Sequence, residues 1–177
     1  MGDDRLKTSA TLRVNGRDYP VELHPHVTLL TAVREVIGLT GAKEGCDDSE
    51  CGACMMLLDD KPVNACSYLA LQAQGRDITT VEGLARPDAL SSLQHAFLTH
   101  GGVQCGFCTP GMLISATALL DSNPNPTDDD VRIALSGNLC RCTGYDGIVK
   151  AVLAAAEDLA RSRPSTRSGV SLATHGT

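Results

Sequence analysis

Eight cysteines are the residues of this 177-residue chain whose type and spacing are most able to do chemistry. An even number of cysteines permits either disulfide bonds or metal ligation. The N-terminal segment has no apolar stretch of the kind that directs export, so we expect a cytoplasmic protein. Thiols stay reduced in that compartment, which favours metal ligation. The cysteines form two sets of four, namely Cys46, Cys51, Cys54 and Cys66, and Cys105, Cys108, Cys140 and Cys142.

The first set has the spacing C-x4-C-x2-C, followed by a fourth cysteine twelve positions later. This spacing is the plant-type signature of a 2Fe-2S cluster, which is anionic and accepts hydrogen bonds from amide groups. Gly45 and Gly52 lie in the loop, and glycine lets backbone N–H groups approach the cluster closely. We therefore predict that both glycines belong to the cluster-binding loop and that Cys66 lies on a strand.

The second set consists of the pairs CGFC and CRC. Each pair precedes a predicted helix, one that starts at Pro110 and another that starts near Asp146. A helix N-terminus offers unpaired N–H groups and partial positive charge. This placement favours a negatively charged cluster at the second set as well.

Two other kinds of site remain open for these cysteines. Four thiolates also satisfy tetrahedral zinc, although neither C-x-C nor C-x4-C-x2-C is a usual zinc spacing. A thioredoxin-like dithiol at CGFC is the weaker alternative, because no βαβ unit surrounds it. The sequence thus favours iron–sulfur over structural zinc, and zinc over thiol redox chemistry.

The N-terminal elements that must position the first set predict an α+β domain over residues 1–82. Alternating apolar residues over 10–14 and 19–23, around Asn15-Gly16, predict a β-hairpin. Apolar residues at helical spacing predict a helix over 28–37. Further strands are predicted over 55–58, 62–66 and 77–81.

After residue 83 the apolar period becomes helical, and four helices are predicted to form a bundle over residues 83–161. Thr127 and Asp130 are spaced as a capping box at the start of the third. Residues 162–177 have little apolar content and are predicted to form a tail. The predicted helices lie near residues 90–98, 110–120, 127–136 and 146–161.

Composition and motifs exclude several function classes. The chain has 15 Lys and Arg against 21 Asp and Glu, a net charge of −6, and no concentrated basic face for a nucleic acid. No apolar run approaches the length that spans a membrane. A Ser-His-Asp triad, a phosphate loop and a dinucleotide fingerprint are all missing from the sequence. We therefore expect no substrate chemistry on this chain itself.

The cysteine motifs resemble those of one family. TGAKEGC, CGAC and NAC in the first set, with QCGFCTPGM and GNLCRCTGY in the second, are similar to the small iron–sulfur subunit of the molybdenum hydroxylases, the xanthine oxidase family. The resemblance covers residues 10–160. It implies a β-grasp, plant-type ferredoxin-like domain followed by a four-helix bundle, with one 2Fe-2S cluster held by each set of cysteines.

The resemblance also implies an electron-transfer subunit of an oxidoreductase. In this family a molybdenum–pterin site in a large subunit transforms the substrate, and electrons pass through the two clusters to FAD in a medium subunit. Gln104 and Cys142 match positions that lie against the pterin. A dimer of heterotrimers is implied as well. The substrate stays open among purines, aldehydes, carbon monoxide, N-heteroaromatic rings and hydroxybenzoyl thioesters.

Alternative functions are a structural zinc-binding interaction module and a free-standing two-cluster ferredoxin. One position also departs from the family pattern, which usually has Gly three residues after the first cysteine, where this chain has Ser49. A positive φ there would strain a serine by about 1 kcal/mol, so we expect the loop to turn slightly differently at this residue. The acidic neighbours Asp47, Asp48 and Glu50 are predicted either to lower the cluster potential or to form a solvated or partner-docking edge.

Overall fold

A sheet domain is followed by a helical domain in the computed structural model, which describes residues 6–85 and 88–162. The sheet has the strand order β2-β1-β5-β3-β4, in which β1 and β5 are parallel and all other neighbours are antiparallel. This confirms the predicted α+β, β-grasp architecture. The strands are β1 (Thr8–Val14), β2 (Arg17–Leu23), β3 (Met55–Leu58), β4 (Lys61–Asn64) and β5 (Asp77–Thr79).

Besides a short 3₁₀ helix over Ala70–Ala73, a longer helical segment, α1, contributes to the core of the sheet domain. It begins as an α-helix over Leu29–Thr31 and continues as a π-helix over Ala32–Val36, where the N–H of Ile37 bonds to the carbonyl oxygen of Ala32. The predicted helix is thus present, but its second part has the wider turns of a π-helix. Fully buried side chains of the core beneath α1 are Leu12, Leu30, Met56, Leu58 and Ile78.

The prediction that Cys66 lies on a strand is wrong. β4 ends at Asn64, because the next carbonyl, that of Ala65, accepts the N–H of Leu30 in α1 instead of continuing the ladder. Cys66 therefore follows in a turn, where the N–H of Ser67 bonds to the carbonyl oxygen of Asn64. β5 is also shorter than predicted and ends at Thr79.

Four further helices surround a second apolar core, as predicted. The first begins later than predicted, since Ser91 caps it in a capping box with Gln94. The predicted box of Thr127 and Asp130 is confirmed. Residues 163–177 of the predicted tail lie outside the described residues. The helices are α2 (Ser92–Thr99), α3 (Thr109–Ser122), α4 (Asp128–Ala134) and α5 (Asp146–Ser162). Within residues 6–85 and 88–162, none of the helices is long and apolar enough to cross a membrane.

Candidate metal centres

The loop between α1 and β3 carries the first three cysteines and is held at both ends. Nη1 of Arg34 donates to the carbonyl oxygens of Thr40 (2.8 Å) and Ala42 (2.6 Å). The N–H of Lys43 donates to the carbonyl oxygen of Ala53 at 2.9 Å, which brings the two sides of the loop together. Between these anchors the chain has to turn sharply around the cysteines.

Positive φ angles produce those turns. They occur at Asp47 (61°), Ser49 (68°) and Gly52 (68°), so Ser49 adopts the left-handed conformation despite the strain expected for a serine. The Ser49 hydroxyl donates to Ser67 Oγ at 2.5 Å and lies 3.9 Å from Cys66 Sγ. These contacts help to offset the backbone strain of a serine in that conformation.

The four thiols of the first set form a single group. The N–H of Cys51 donates to Cys46 Sγ at 3.4 Å. Burial raises the pKa of Cys51, and the neighbouring Cys46 and Cys66 raise it further. Burial, with smaller effects of Cys66 and Cys51, raises the pKa of the Cys54 thiol to about 12. Thiols that influence one another in this way are placed to share one bound group.

Backbone N–H groups point at the sulfur atoms of this group. The Asp48 side chain raises the pKa of Cys46, but the N–H groups of Asp48 and Cys51 outweigh it and leave the pKa below the ordinary thiol value. The N–H of Ala53 acts in the same direction on the pKa of Cys51. Amide donors of this kind stabilise negative charge on sulfur, as an anionic cluster requires.

The two glycines of the loop have different surroundings. A Cβ on Gly45 would lie 2.8 Å from Cys51 Sγ, so glycine keeps the space beside that sulfur free. A Cβ on Gly52 would instead overlap the carbonyl oxygen of Gly137 and lie 2.7 Å from Asn138 Nδ2. Gly45 thus adjoins the thiols, whereas Gly52 makes room for the helical domain.

The second group gathers Cys105 and Cys108 from the loop before α3 with Cys140 and Cys142 from the loop before α5. Cys105 Sγ and Cys142 Sγ are 3.4 Å apart. Cys108 is the N-cap residue of α3, so the predicted helix N-terminus does lie at this group. Burial, together with Cys140 and Cys105, raises the pKa of Cys108 to about 12.

Donors also surround Cys140. Its sulfur accepts the N–H of Thr143 at 3.5 Å and lies 3.1 Å from Thr143 Oγ1. Burial raises the pKa of Cys140, but these donors outweigh burial and leave the pKa below the ordinary value. The N–H of Phe107 likewise lowers the pKa of Cys105. Both groups therefore combine four thiols with amide donors.

Gln104 and Cys142, the two predicted pterin contacts, lie at the exposed end of the second group. Both residues are exposed, and Cys105, which follows Gln104, is exposed as well. By contrast, Cys108 and Cys140 lie deeper, against the helical core. The second group thus presents one side to the surroundings and the other to the bundle.

The donor set fits two iron–sulfur clusters, because each group offers four soft thiolate ligands and N–H donors to sulfur. The space that Gly45 leaves beside Cys51 Sγ is consistent with a bound group there. As the side chains stand, no group of three or more His, Cys, Asp or Glu residues within 6–85 and 88–162 is arranged to hold a metal ion.

Tyr145 supports the second group and was missed by sequence reasoning. Its hydroxyl accepts the N–H of Cys140 at 2.8 Å and donates to the carbonyl oxygen of Asn138 at 3.1 Å. Its φ is +70°, which is costly for a tyrosine. Its position three residues after the last cysteine, behind Thr-Gly, was the available signal.

The two cysteine groups meet at the junction between the domains. The N–H of Leu139, the residue before Cys140, donates to the carbonyl oxygen of Cys51 at 2.9 Å. A single backbone hydrogen bond therefore links a cysteine of the first group to the neighbour of a cysteine of the second.

Comparison with protein families gives each group its own domain. The model of a 2Fe-2S iron–sulfur cluster binding domain matches residues 12–85, and a second [2Fe-2S] binding domain matches residues 80–153. The small FeS subunit of nicotinate dehydrogenase from Eubacterium barkeri is 49% identical over 151 residues, which are 85% of this chain and 96% of that subunit. The chain belongs to the small iron–sulfur subunits of the molybdenum hydroxylase family.

Solved structures agree with this assignment of the iron–sulfur subunit. Quinoline 2-oxidoreductase from Pseudomonas putida 86 matches with a TM-score of 0.85 and 45% identity, over 89% of this chain and 98% of that one. Aldehyde oxidoreductase from Desulfovibrio desulfuricans ATCC 27774 matches with a TM-score of 0.84 and 44% identity, over 86% of this chain but 17% of that chain. The predicted family and fold are thereby confirmed, and the iron–sulfur subunit serves electron transfer in an oxidoreductase.

Proposed function

We propose that this iron–sulfur subunit relays electrons between a molybdenum–pterin site on a large partner subunit and FAD on a medium partner subunit, through two 2Fe-2S clusters. The clusters, when bound, supply one-electron carriers. The first group of thiols holds one and the second group holds the other. Their ligands are Cys46, Cys51, Cys54 and Cys66, and Cys105, Cys108, Cys140 and Cys142.

The observation that carries this proposal is the hydrogen bond between the two groups. Leu139 N–H donates to the Cys51 carbonyl oxygen at 2.9 Å, and Leu139 is covalently joined to Cys140. The backbone thus offers a short continuous path from a ligand of one cluster to a ligand of the other. Two independent structural metal sites would not require such a link.

The two cysteine groups differ in their surroundings, which supports one orientation of the chain between its two partner subunits. The second group exposes Cys105 and Cys142 beside Gln104, an amide able to hydrogen-bond to a pterin. The first group lies behind the acidic loop of Asp47, Asp48 and Glu50. We assign the molybdenum side to the former and the FAD side to the latter.

The partner subunits supply what this chain lacks. This chain matches 17% of the longer aldehyde oxidoreductase chain from D. desulfuricans ATCC 27774 and 96% of the small FeS subunit of nicotinate dehydrogenase from Eubacterium barkeri, and the second match supports an association with separate partner subunits. We propose a dimer of heterotrimers, in a cytoplasmic enzyme whose large subunit selects the substrate. The relatives include a nicotinate dehydrogenase, a quinoline oxidoreductase and an aldehyde oxidoreductase at similar identity, so the substrate class stays open.

Metal analysis and spectroscopy of the purified chain test the relay. We expect about four iron atoms and no zinc per chain, visible charge-transfer absorption, and two paramagnetic signals on reduction. Cys54→Ser should abolish only one signal and Cys108→Ser only the other, so each variant is the control for its counterpart. Stoichiometric zinc in a colourless protein would contradict the proposal.

Purification from the native host tests the partners. Copurification with two larger chains that contain molybdenum and flavin is the expected result. A lone chain that carries full electron-transfer activity would instead identify a free-standing ferredoxin.

A further inference from the structure

We propose that the side chain of Asn138 fixes the separation of the two cysteine groups and thereby sets the rate of electron exchange between the clusters. The inference rests on the proposed relay and concerns how its two halves are held together. Asn138 is a positioning residue in this proposal, since it lies in neither group of thiols.

Asn138 forms a buried hydrogen-bonded bridge between the domains. Its side-chain oxygen accepts the Ser115 hydroxyl of α3 at 2.7 Å, and its side-chain nitrogen donates to the carbonyl oxygen of Gly52 at 3.1 Å. Asn138 is 1% exposed and Ser115 is 4% exposed. The bridge therefore ties the main helix of the bundle to the loop that carries Cys51 and Cys54.

The chemistry of this bridge requires an amide. Ser115 offers a donor and the Gly52 carbonyl offers only an acceptor, so the residue between them must accept on one side and donate on the other. Leucine would fill similar space but remove the acceptor of the Ser115 hydroxyl, and it would leave the Gly52 carbonyl oxygen with the N–H of Met55 at 3.2 Å as its remaining donor. A buried hydroxyl that loses its hydrogen-bond acceptor destabilises the fold, so the position of Asn138 favours an amide over an apolar side chain of the same size.

The position of Asn138 makes this bridge bear on electron exchange. The next residue, Leu139, donates the hydrogen bond to the Cys51 carbonyl oxygen, and the residue after that is Cys140. Two consecutive residues of the loop before α5, Asn138 and Leu139, thus bond to the carbonyl oxygens of Gly52 and Cys51. If the Asn138 bridge is lost, the hydrogen bond from Leu139 no longer has a second bond beside it to hold the two loops together, and the distance between the two clusters can increase.

Variants of the bridge test this inference in the full chain, purified with its partners and its clusters. Ser115→Ala removes one arm of the bridge without touching the residues near the thiols, and Asn138→Leu removes both arms. Ser122→Ala is the control, because the Ser122 hydroxyl on the same helix donates to the α3 carbonyl oxygens of Ala118 and Leu119 and forms no part of the bridge.

We expect both bridge variants to keep the wild-type iron content. The magnetic splitting that arises from coupling between the two reduced clusters should shrink. Electron exchange between them should slow by about tenfold, which is the lower end of the effect of losing a group that supports metal ligands. Ser122→Ala should match the wild type in both measurements. If Asn138→Leu fails to fold, Ser115→Ala still decides the question.

Wild-type splitting and exchange in a Ser115→Ala chain that retains both clusters would overturn the role of this bridge and leave the relay intact. Absence of two iron–sulfur clusters from the wild-type chain would instead overturn the relay itself.

Discussion

At the residue scale, the acidic loop around the first group has a direct electrostatic effect on a thiol. A hydrogen bond with the Asp48 side chain is the largest influence on the pKa of Cys46 and raises it, because the carboxylate accepts the thiol proton and favours the neutral thiol. The carboxylate also carries a negative charge close to this sulfur. The same charge disfavours an added electron on a cluster held by Cys46. Asp48 is exposed, so solvent screens part of the effect.

We therefore predict that Asp48→Asn raises the reduction potential of the first cluster and leaves that of the second unchanged. Asparagine keeps the side-chain oxygen that accepts the N–H of Glu50 at 3.3 Å, so the loop should retain its shape. Redox titration of both paramagnetic signals measures the effect, with Asp129→Asn in α4 as the control for a lost surface charge. Equal shifts of the two clusters would refute the prediction.

Sequence spacing predicted the cysteine sets, because spacing is a local property of the chain. The left-handed φ of Ser49 was not predicted, because it is costly for a serine and the sequence carries no sign that the loop accepts this cost. Tyr145 was not predictable in this way. Its hydroxyl joins the Cys140 N–H to the Asn138 carbonyl oxygen only because the loop before α5 folds back, and that fold-back has no periodic signature.

At the scale of elements, the capping box of α4 combines a hydroxyl with a carboxylate. Asp130 accepts the N–H of Thr127, and this bond and the one from the Thr127 hydroxyl lower the pKa of Asp130. A lowered pKa in the folded chain means that this contribution to stability is complete above the ordinary Asp pKa, about 3.9, and is lost as the pH falls below it. The box is therefore intact at neutral pH.

We predict that Thr127→Ala lowers the free energy of unfolding of the helical domain by about 1 kcal/mol at neutral pH, the usual effect of losing an N-cap side chain. Thr127→Ser keeps the hydroxyl that accepts the N–H of Asp130 and should retain most of the stability. Denaturant unfolding followed by helical circular dichroism measures both variants. Equal losses in the two would show that the hydroxyl is not the cause.

Helices and hairpins were predictable because each has its own apolar period and its own capping or turn residues. The end of β4 was not, because it depends on a hydrogen bond from Leu30 in α1 to Ala65. A strand that stops for a partner distant in sequence carries no local signal, which is why Cys66 was placed on a strand.

At the scale of the whole molecule, the sequence predicted two domains with one group of cysteines each, but not how closely they approach. The junction depends on two glycines from different domains. A Cβ on Gly111, in the first turn of α3, would overlap the carbonyl oxygen of Gly52. Gly52 lies in a turn and Gly111 in a helix, and neither local setting reveals that the two residues touch.

Gly111→Ala separates the effect of the junction from that of the helix. Alanine is the better helix former by about 1 kcal/mol, so α3 alone would gain stability from the change. We predict the opposite, a loss of roughly 1–3 kcal/mol in the free energy of unfolding from overpacking, because Gly52 has to move away.

Gly137→Ala is the control from the same junction, since a Cβ there meets nothing within 4 Å and its φ is not positive. Thermal unfolding should show that Gly111→Ala is less stable than the wild type, and the magnetic splitting between its two reduced clusters should be smaller. Gly137→Ala should be close to the wild type in both measurements. A more stable Gly111→Ala chain with wild-type coupling would mean that the domains do not need this close approach.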